Sequence, residues 1–237
     1  MDTHELALSF TYASTLDTKI NQFRNHRIES ILNNETPVPL FELGKAIVHF
    51  IPFESFTNEY KFNIKTLENN ANDLGLIHSS GWNPKINLDG VLLYTYDSDN
   101  KSLDYTQIFR NGIIEAVDSK CFSRSNRIIP SYIFEKSIID FFNRALQLYT
   151  KLLVNKPLFF SLTLVDIKGY KLSFPQRCYD TETDQIPNNI IKLPETIIEN
   201  ETISTNKLLR PIFDIIWNAC GIQSSINFDL NDVLLTP

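Results

Sequence analysis

The amino-acid sequence predicts an α+β fold: a mainly antiparallel sheet, built from hairpins and a meander, packed with about three helices. Three observations predict it. Alternating apolar runs meet at tight turns, and Asn111-Gly112 is the strongest of these because a type I′ turn needs positive φ at both central residues. Three other stretches, near residues 15–33, 134–153 and 206–220, repeat their apolar residues every three to four positions instead. The helices also fall between groups of strands rather than between successive strands, which argues against a βαβ alternation.

The first helix is read at 15–33 from Leu16, Ile20, Phe23, Ile28 and Ile31, and it stops at Asn33-Asn34 before the prolines of Thr36-Pro37-Val38-Pro39. Lys19, Arg24, His26 and Arg27 are placed on its solvated face as a local basic patch. The period then changes to two: Ala46, Val48 and Phe50 alternate with Ile47, His49 and Ile51 in a strand that ends at Pro52. Residues 58–80 are dense in Asn and read as loop, with a short element near 64–67. Over 88–117, alternation around Leu92, around Gln107 and again after Gly112 predicts a three-stranded meander.

Phe134, Ile138, Phe141, Ala145 and Tyr149 then mark a central helix capped near Ser131. Residues 159–174 read as a second hairpin turning at Asp166-Ile167-Lys168-Gly169, and 189–198 as a further strand. The last helix carries Pro211 near its first turn and Gly221 past its end. Residues 222–237 read as a peripheral tail. No Pro/Gly/Ser linker divides the chain, so one domain over 1–237 is expected.

Of the 237 residues 43% are hydrophobic and 21% charged, with 7 Gly and 11 Pro, which excludes disordered, collagenous and low-complexity classes. Lys plus Arg number 22 against 28 Asp plus Glu, a net charge of -6, so there is no global basic field to attract phosphate backbones. Cys121, Cys178 and Cys220 are odd in number and far apart, which fits no disulfide framework and points to a reducing cytoplasm. An acidic N-terminus and the lack of a long apolar run argue against export and against a membrane span.

Little recognisable chemistry is present. His4, His26, His49 and His78 share no metal-ligand spacing, and no metal or other cofactor is expected. With so few glycines there is no phosphate-cradling loop, and no G-x-S-x-G elbow occurs. Asp89, Glu115, Asp118 and Asp166 sit at strand ends and turns; a divergent metal-dependent nuclease would draw on Asp89, Glu115 and Asp166, the last of which has a lysine two residues on. Trp82, in a loop, and the stripe of Tyr94, Tyr96, Tyr105 and Phe109 read either as core-capping aromatics or as a binding surface rimmed by Lys85, Arg110, Arg124 and Arg127.

The series Glu35-Thr36-Pro37-Val38-Pro39-Leu40, Val48-His49-Phe50-Ile51-Pro52, Gly81-Trp82-Asn83 with Asn87-Leu88-Asp89-Gly90, Gln107-Ile108-Phe109-Arg110-Asn111-Gly112 with Ile114-Glu115-Ala116, and Leu209-Arg210-Pro211 with Trp217-Asn218-Ala219 resembles the C-terminal half of bacterial AlbA_2 (Schlafen-type) domain proteins. The resemblance covers nearly the whole chain. Those proteins are labelled ATP-binding or DNA-binding on the strength of an N-terminal half, which the resemblance implies is lost here or separately encoded; none of that half's functional residues carries over.

The resemblance and the missing catalytic motifs together give the expected function: a non-catalytic, partner-binding or sensing module of a bacterial multi-protein system, of the kind that defends against phage and mobile DNA. Its partner would be a nuclease, a helicase or a Schlafen-type chain. Trp82, Asn87, Asp89, Arg110, Asn111 and Glu115 are the expected partner or ligand surface. The alternatives are the nuclease above and a nucleic-acid binder using Arg24, Arg27, Arg124 and Arg127.

Overall fold

The structure, a computed structural model, describes residues 3–57, 62–97, 100–122, 126–174, 183–199 and 204–235, with side chains from residue 14 onward. Arg124 and Cys178 lie outside the described residues. The chain runs α1 (Thr3–Leu32), β1 (Lys45–Pro52), α2 (Ile64–Leu74), β2 (Asn83–Ile86), β3 (Gly90–Tyr94), β4 (Asp104–Phe109), β5 (Ile114–Asp118), β6 (Ile128–Pro130), α3 (Ser131–Lys151), β7 (Leu158–Val165), β8 (Lys171–Ser173), β9 (Ile190–Lys192), β10 (Thr196–Ile198) and α4 (Thr205–Asn218). The main sheet is antiparallel throughout, in the order β10-β7-β1-β5-β4-β3-β2, with β9 also on β7. The α+β class and the meander β3–β4–β5 are as the sequence predicts.

Both faces of this sheet are covered. Ala46, Val48 and Phe50 of β1 join α2, α3 and α4 in the larger core, where Phe50, Phe142 and Phe160 pack with ring centroids 4.9–5.1 Å apart. Ile47, His49 and Ile51 point the other way and are covered by α1 through Leu16, Ile20, Ile28 and Ile31. Every residue of β1 and β7 is therefore buried, including Lys45, His49, Ser161 and Thr163. An antiparallel sheet more often leaves one face to water; here α1 removes it.

The structure differs from the sequence reading in several features. α1 begins at Thr3, β2 is an additional edge strand, and the strand read at 189–198 is divided into β9 and β10. In the Asn111-Gly112 turn Gly112 (φ 86°) has positive φ but Asn111 does not, so that turn is not type I′. The Asn-rich segment holds α2, a fourth helix, capped by Asn63, whose Oδ1 accepts from Thr66 N at 2.8 Å, and buried through Leu67, Ala71 and Leu74. The segment after β7 does not return as a hairpin: β8 pairs in parallel with β6. The reason is occupancy, since β1 lies along one side of β7 and β9 and β10 along the other.

Pro211 lies in the second turn of α4, and the helix continues through it. Residues 225–228 are not peripheral: Phe228 stacks on Phe213 at 6.1 Å, while Ser225 and Asn227 donate to the buried Glu135 carboxylate at 2.9 and 2.8 Å. Trp217 Nε1 donates to the same carboxylate at 2.7 Å. Burial outweighs these hydrogen bonds and raises the Glu135 pKa to about 7.

Candidate functional site

The densest group of titratable side chains lies between α1 and the sheet. Glu115 is the second residue of β5, opposite His49 of β1 and Gln107 of β4. Its Oε1 accepts from Arg27 Nη2 and from the Tyr105 hydroxyl, both at 2.8 Å; its Oε2 accepts from Arg27 Nε and His49 Nε2, both at 2.9 Å. Burial pushes the Glu115 carboxyl up, but the hydrogen bonds and positive charge of Arg27 and His49 prevail and lower its pKa to about 2. Burial and the Glu115 charge raise Tyr105 well above its ordinary range.

Ser161 faces His49 across β7, so carboxylate, imidazole and hydroxyl stand in one row on adjacent strands. Glu115, His49 and Ser161 all have zero exposure, and α1 lies over them. Four donors occupy the Glu115 carboxylate, which leaves it as an electrostatic brace holding α1 to the sheet. One turn earlier on α1, Arg24 is buried and paired with Glu195 in the β9–β10 connection, where Pro194 interrupts the edge strand. Arg24 and Arg27 thus do not form an exposed basic patch; their spacing from Ile20, Phe23, Ile28 and Ile31 puts them on the same helix face as those apolar residues.

The opposite face holds a buried acidic pair. Asp104 and Asp118 are register partners on β4 and β5 with zero exposure. Asp104 Oδ1 accepts from the Thr95 hydroxyl at 2.5 Å. Burial, reinforced by the Asp104 charge, raises the Asp118 pKa to about 7.

Unlike these two sites, the end of the sheet at Lys45 is open. A cavity of about 980 Å³ lies between the end of α1, the segment before β1, the β7–β8 turn and residues 185–189. Its floor is Lys45, 3% exposed, whose Nζ donates to the Leu43 carbonyl at 2.8 Å and to Asp166 Oδ2 at 3.0 Å. Arg127 and Lys168 stand exposed in its wall, and Arg127 Nη1 donates to the Lys168 carbonyl at 3.2 Å. Three of the lining residues are non-glycine residues in the left-handed region, Asn34 (φ 60°), Arg127 (φ 50°) and Asp166 (φ 57°). Asn and Asp tolerate that region, whereas Arg127 is held there at a cost of about 1 kcal/mol, and such positions concentrate at binding sites. Gly169 (φ 81°) completes the wall; a Cβ there would lie 3.0 Å from Arg127 Nη1.

Of the residues expected to form one binding surface, Asn87, Asp89, Arg110 and Asn111 are brought together in two adjoining turns, whereas Trp82 and Glu115 lie apart from them. Trp82 precedes β2, half-buried against Gly75, and its Nε1 donates to Asn72 Oδ1 at 3.0 Å. Trp82→Ala should therefore cost about 2 kcal/mol and lower the thermal midpoint by about 4–8 °C in a melting experiment. Past the other end of β2, Asn87 Oδ1 accepts from Gly90 N at 2.8 Å and its Nδ2 donates to Gln107 Oε1 at 2.7 Å. The Asp89 carbonyl accepts from Arg110 N at 2.8 Å, Arg110 Nε donates to the Leu88 carbonyl at 3.1 Å, and Asn111 Oδ1 accepts from Ile113 N at 3.3 Å. These four residues thus order two adjoining turns.

Glu115 lies beneath α1, away from any surface. Asp89 and Asp166 fall at opposite ends of the sheet with Glu115 between them, so the three acids proposed for a nuclease are not brought together. Among the described residues no three His, Cys, Asp or Glu side chains are placed to share a metal ion, and no helix is long and apolar enough to cross a membrane. The cavity brings Arg127 and Lys168, without a carboxylate partner among the described residues, into one concave space, and sequence reasoning missed it because its walls come from five separate segments. Compared with protein-family models, curated proteins and solved structures, the chain matches none.

Proposed function

We propose that this chain is a non-catalytic binding or sensing module of a bacterial multi-protein system, working beside a separate nuclease, helicase or Schlafen-type chain. The observation that carries the reading is the contrast between its two polar regions. The Glu115 group has the residue types of catalysis, yet all its carboxylate lone pairs are engaged and its exposure is zero. The cavity beside Lys45 has binding chemistry and is open. The likeness to the C-terminal half of AlbA_2 proteins supports the partner, and through it a place in defence against mobile DNA.

The test is affinity capture of the tagged full chain from a bacterial host, with mass spectrometry and a sizing column. A nuclease, helicase or Schlafen-type chain is expected to co-elute in fixed stoichiometry. A chain that elutes alone and cleaves or shifts nucleic acid overturns the proposal.

A further inference from the structure

We infer that the cavity at the Lys45 end of the sheet is a site for a small phosphate ester, held through Arg127 and Lys168. The inference rests on the sensing reading above for its purpose and on the cavity alone for its chemistry. Lys45 and Asp166 neutralise each other in the floor, and Asn189 Nδ2 further ties Asp166 at 3.3 Å. Arg127 and Lys168 have no carboxylate partner among the described residues.

With Lys45 and Asp166 cancelling and Glu42 the remaining carboxylate, the lining keeps a net positive charge in which Arg127 and Lys168 stand as neighbouring cations. Two neighbouring cations suit an oxyanion that meets both at once, and a phosphate monoester, at about -1.5 to -2 with three acceptor oxygens, does so. Arg127 offers a planar fork and Lys168 a movable point charge, the pair of donors suited to a tetrahedral oxyanion. Glu42 on the same wall disfavours a second anionic group and so favours a ligand with a single phosphate.

The rest of the ligand is bounded by size and lining. At about 980 Å³ the space lies at the upper end of small-molecule sites and far exceeds a phosphate group. Asn34, Gln185 and Asn189 line it with amides that both donate and accept, and Leu32, Leu43 and Ile186 supply apolar contact. That lining suits a hydroxyl-rich or heterocyclic body, such as a sugar or a nucleoside. Gly169 keeps the wall low enough for the Arg127 guanidinium to lie against it. Pairing of β6 with β8 holds Arg127 in place, Lys171 N donating to the Arg127 carbonyl at 2.9 Å.

The test is calorimetric titration of the full chain with ribose 5-phosphate, AMP and inorganic phosphate, with unphosphorylated ribose as control. At least one ester should bind with a Kd below about 1 mM and more tightly than inorganic phosphate, while ribose gives no heat. Arg127→Gly, which suits the left-handed backbone, and Lys168→Ala should each weaken that ester about tenfold or more, with the thermal midpoint within about 2 °C of the parent. Silence from both esters, equal affinity for inorganic phosphate, or unchanged affinity in both variants overturns the inference. A partner that still co-elutes in that case leaves the module reading standing, whereas ester binding by a chain that elutes alone and cleaves nucleic acid overturns the module reading only.

Discussion

Glu115→Gln should destabilise the fold by about 3–5 kcal/mol at pH 7, read as a lower midpoint in urea or thermal unfolding. Among the described residues the carboxylate is the one anion paired with Arg27, and it accepts four hydrogen bonds at 2.8–2.9 Å. An amide removes the charge and turns one acceptor into a donor, so an N–H group would point at donors from Arg27 and its neighbours. The guanidinium would then be buried without compensation, the costly way to break a buried ion pair. Glu115→Leu combined with Arg27→Met should cost less than Glu115→Leu alone, because the buried guanidinium is removed together with its partner.

The pH dependence has a definite sign. A carboxyl lowered from 4.5 to about 2 on folding contributes stability that is complete above pH 4.5 and lost as pH falls towards 2, about 3 kcal/mol in all. Glu115→Gln should abolish that part of the acid transition. A variant within 1 kcal/mol of the parent, or one that keeps the full acid dependence, would show that the brace does not hold α1.

The same residue shows where sequence reasoning ran out. The meander was legible because Asn111-Gly112 and the alternation on either side are local signals, and local signals fix turns and strands. By sequence Glu115 reads as an acid at a strand end; its face, opposite Ile114 and Ala116, is buried because of α1, about ninety residues earlier in the chain. Arg24 and Arg27 were assigned to solvent by residue type, although Arg24 lies four residues after Ile20 and Arg27 four after Phe23, which is the periodicity of the buried stripe.

The second helix had an N-cap at Asn63 and Leu67, Ala71 and Leu74 at helical spacing, signals obscured by the density of Asn around them. The expected hairpin after β7 failed for a non-local reason, since both edges of β7 are occupied by strands distant in sequence or not yet reached in it. The cavity is the extreme case: Asn34, Lys45, Arg127, Lys168 and Asn189 become neighbours only in the folded chain.

Asp118→Asn should stabilise the protein at pH 8 by up to about 4 kcal/mol and leave it unchanged below pH 4. Asp118 and Asp104 are register partners, neither of them in an ion pair among the described residues, and the folded state keeps Asp118 protonated up to about pH 7 against 3.8 for the ordinary carboxyl. A raised carboxyl contributes stability that is complete below pH 3.8 and lost as pH rises to 7, because the unfolded chain gives up its proton first. An amide is neutral throughout, and its oxygen can still accept from one of the two backbone N–H groups, of Lys120 and Cys121, that the Asp118 carboxyl accepts from at 3.3 and 3.4 Å. Glu135, raised from 4.5 to about 7, adds a decline of the same sign, while Glu115 removes stability only below pH 4.5. The three together put the parent's maximum stability near pH 4–5, more acidic than the usual optimum. Thermal midpoints measured from pH 3 to 9 should peak there, and the Asp118→Asn curve should stay higher on the alkaline side. If the two curves coincide from pH 5 to 9, Asp118 ionises normally in the folded protein and the buried pair is solvated; if they diverge as expected, the pair destabilises the fold at neutral pH.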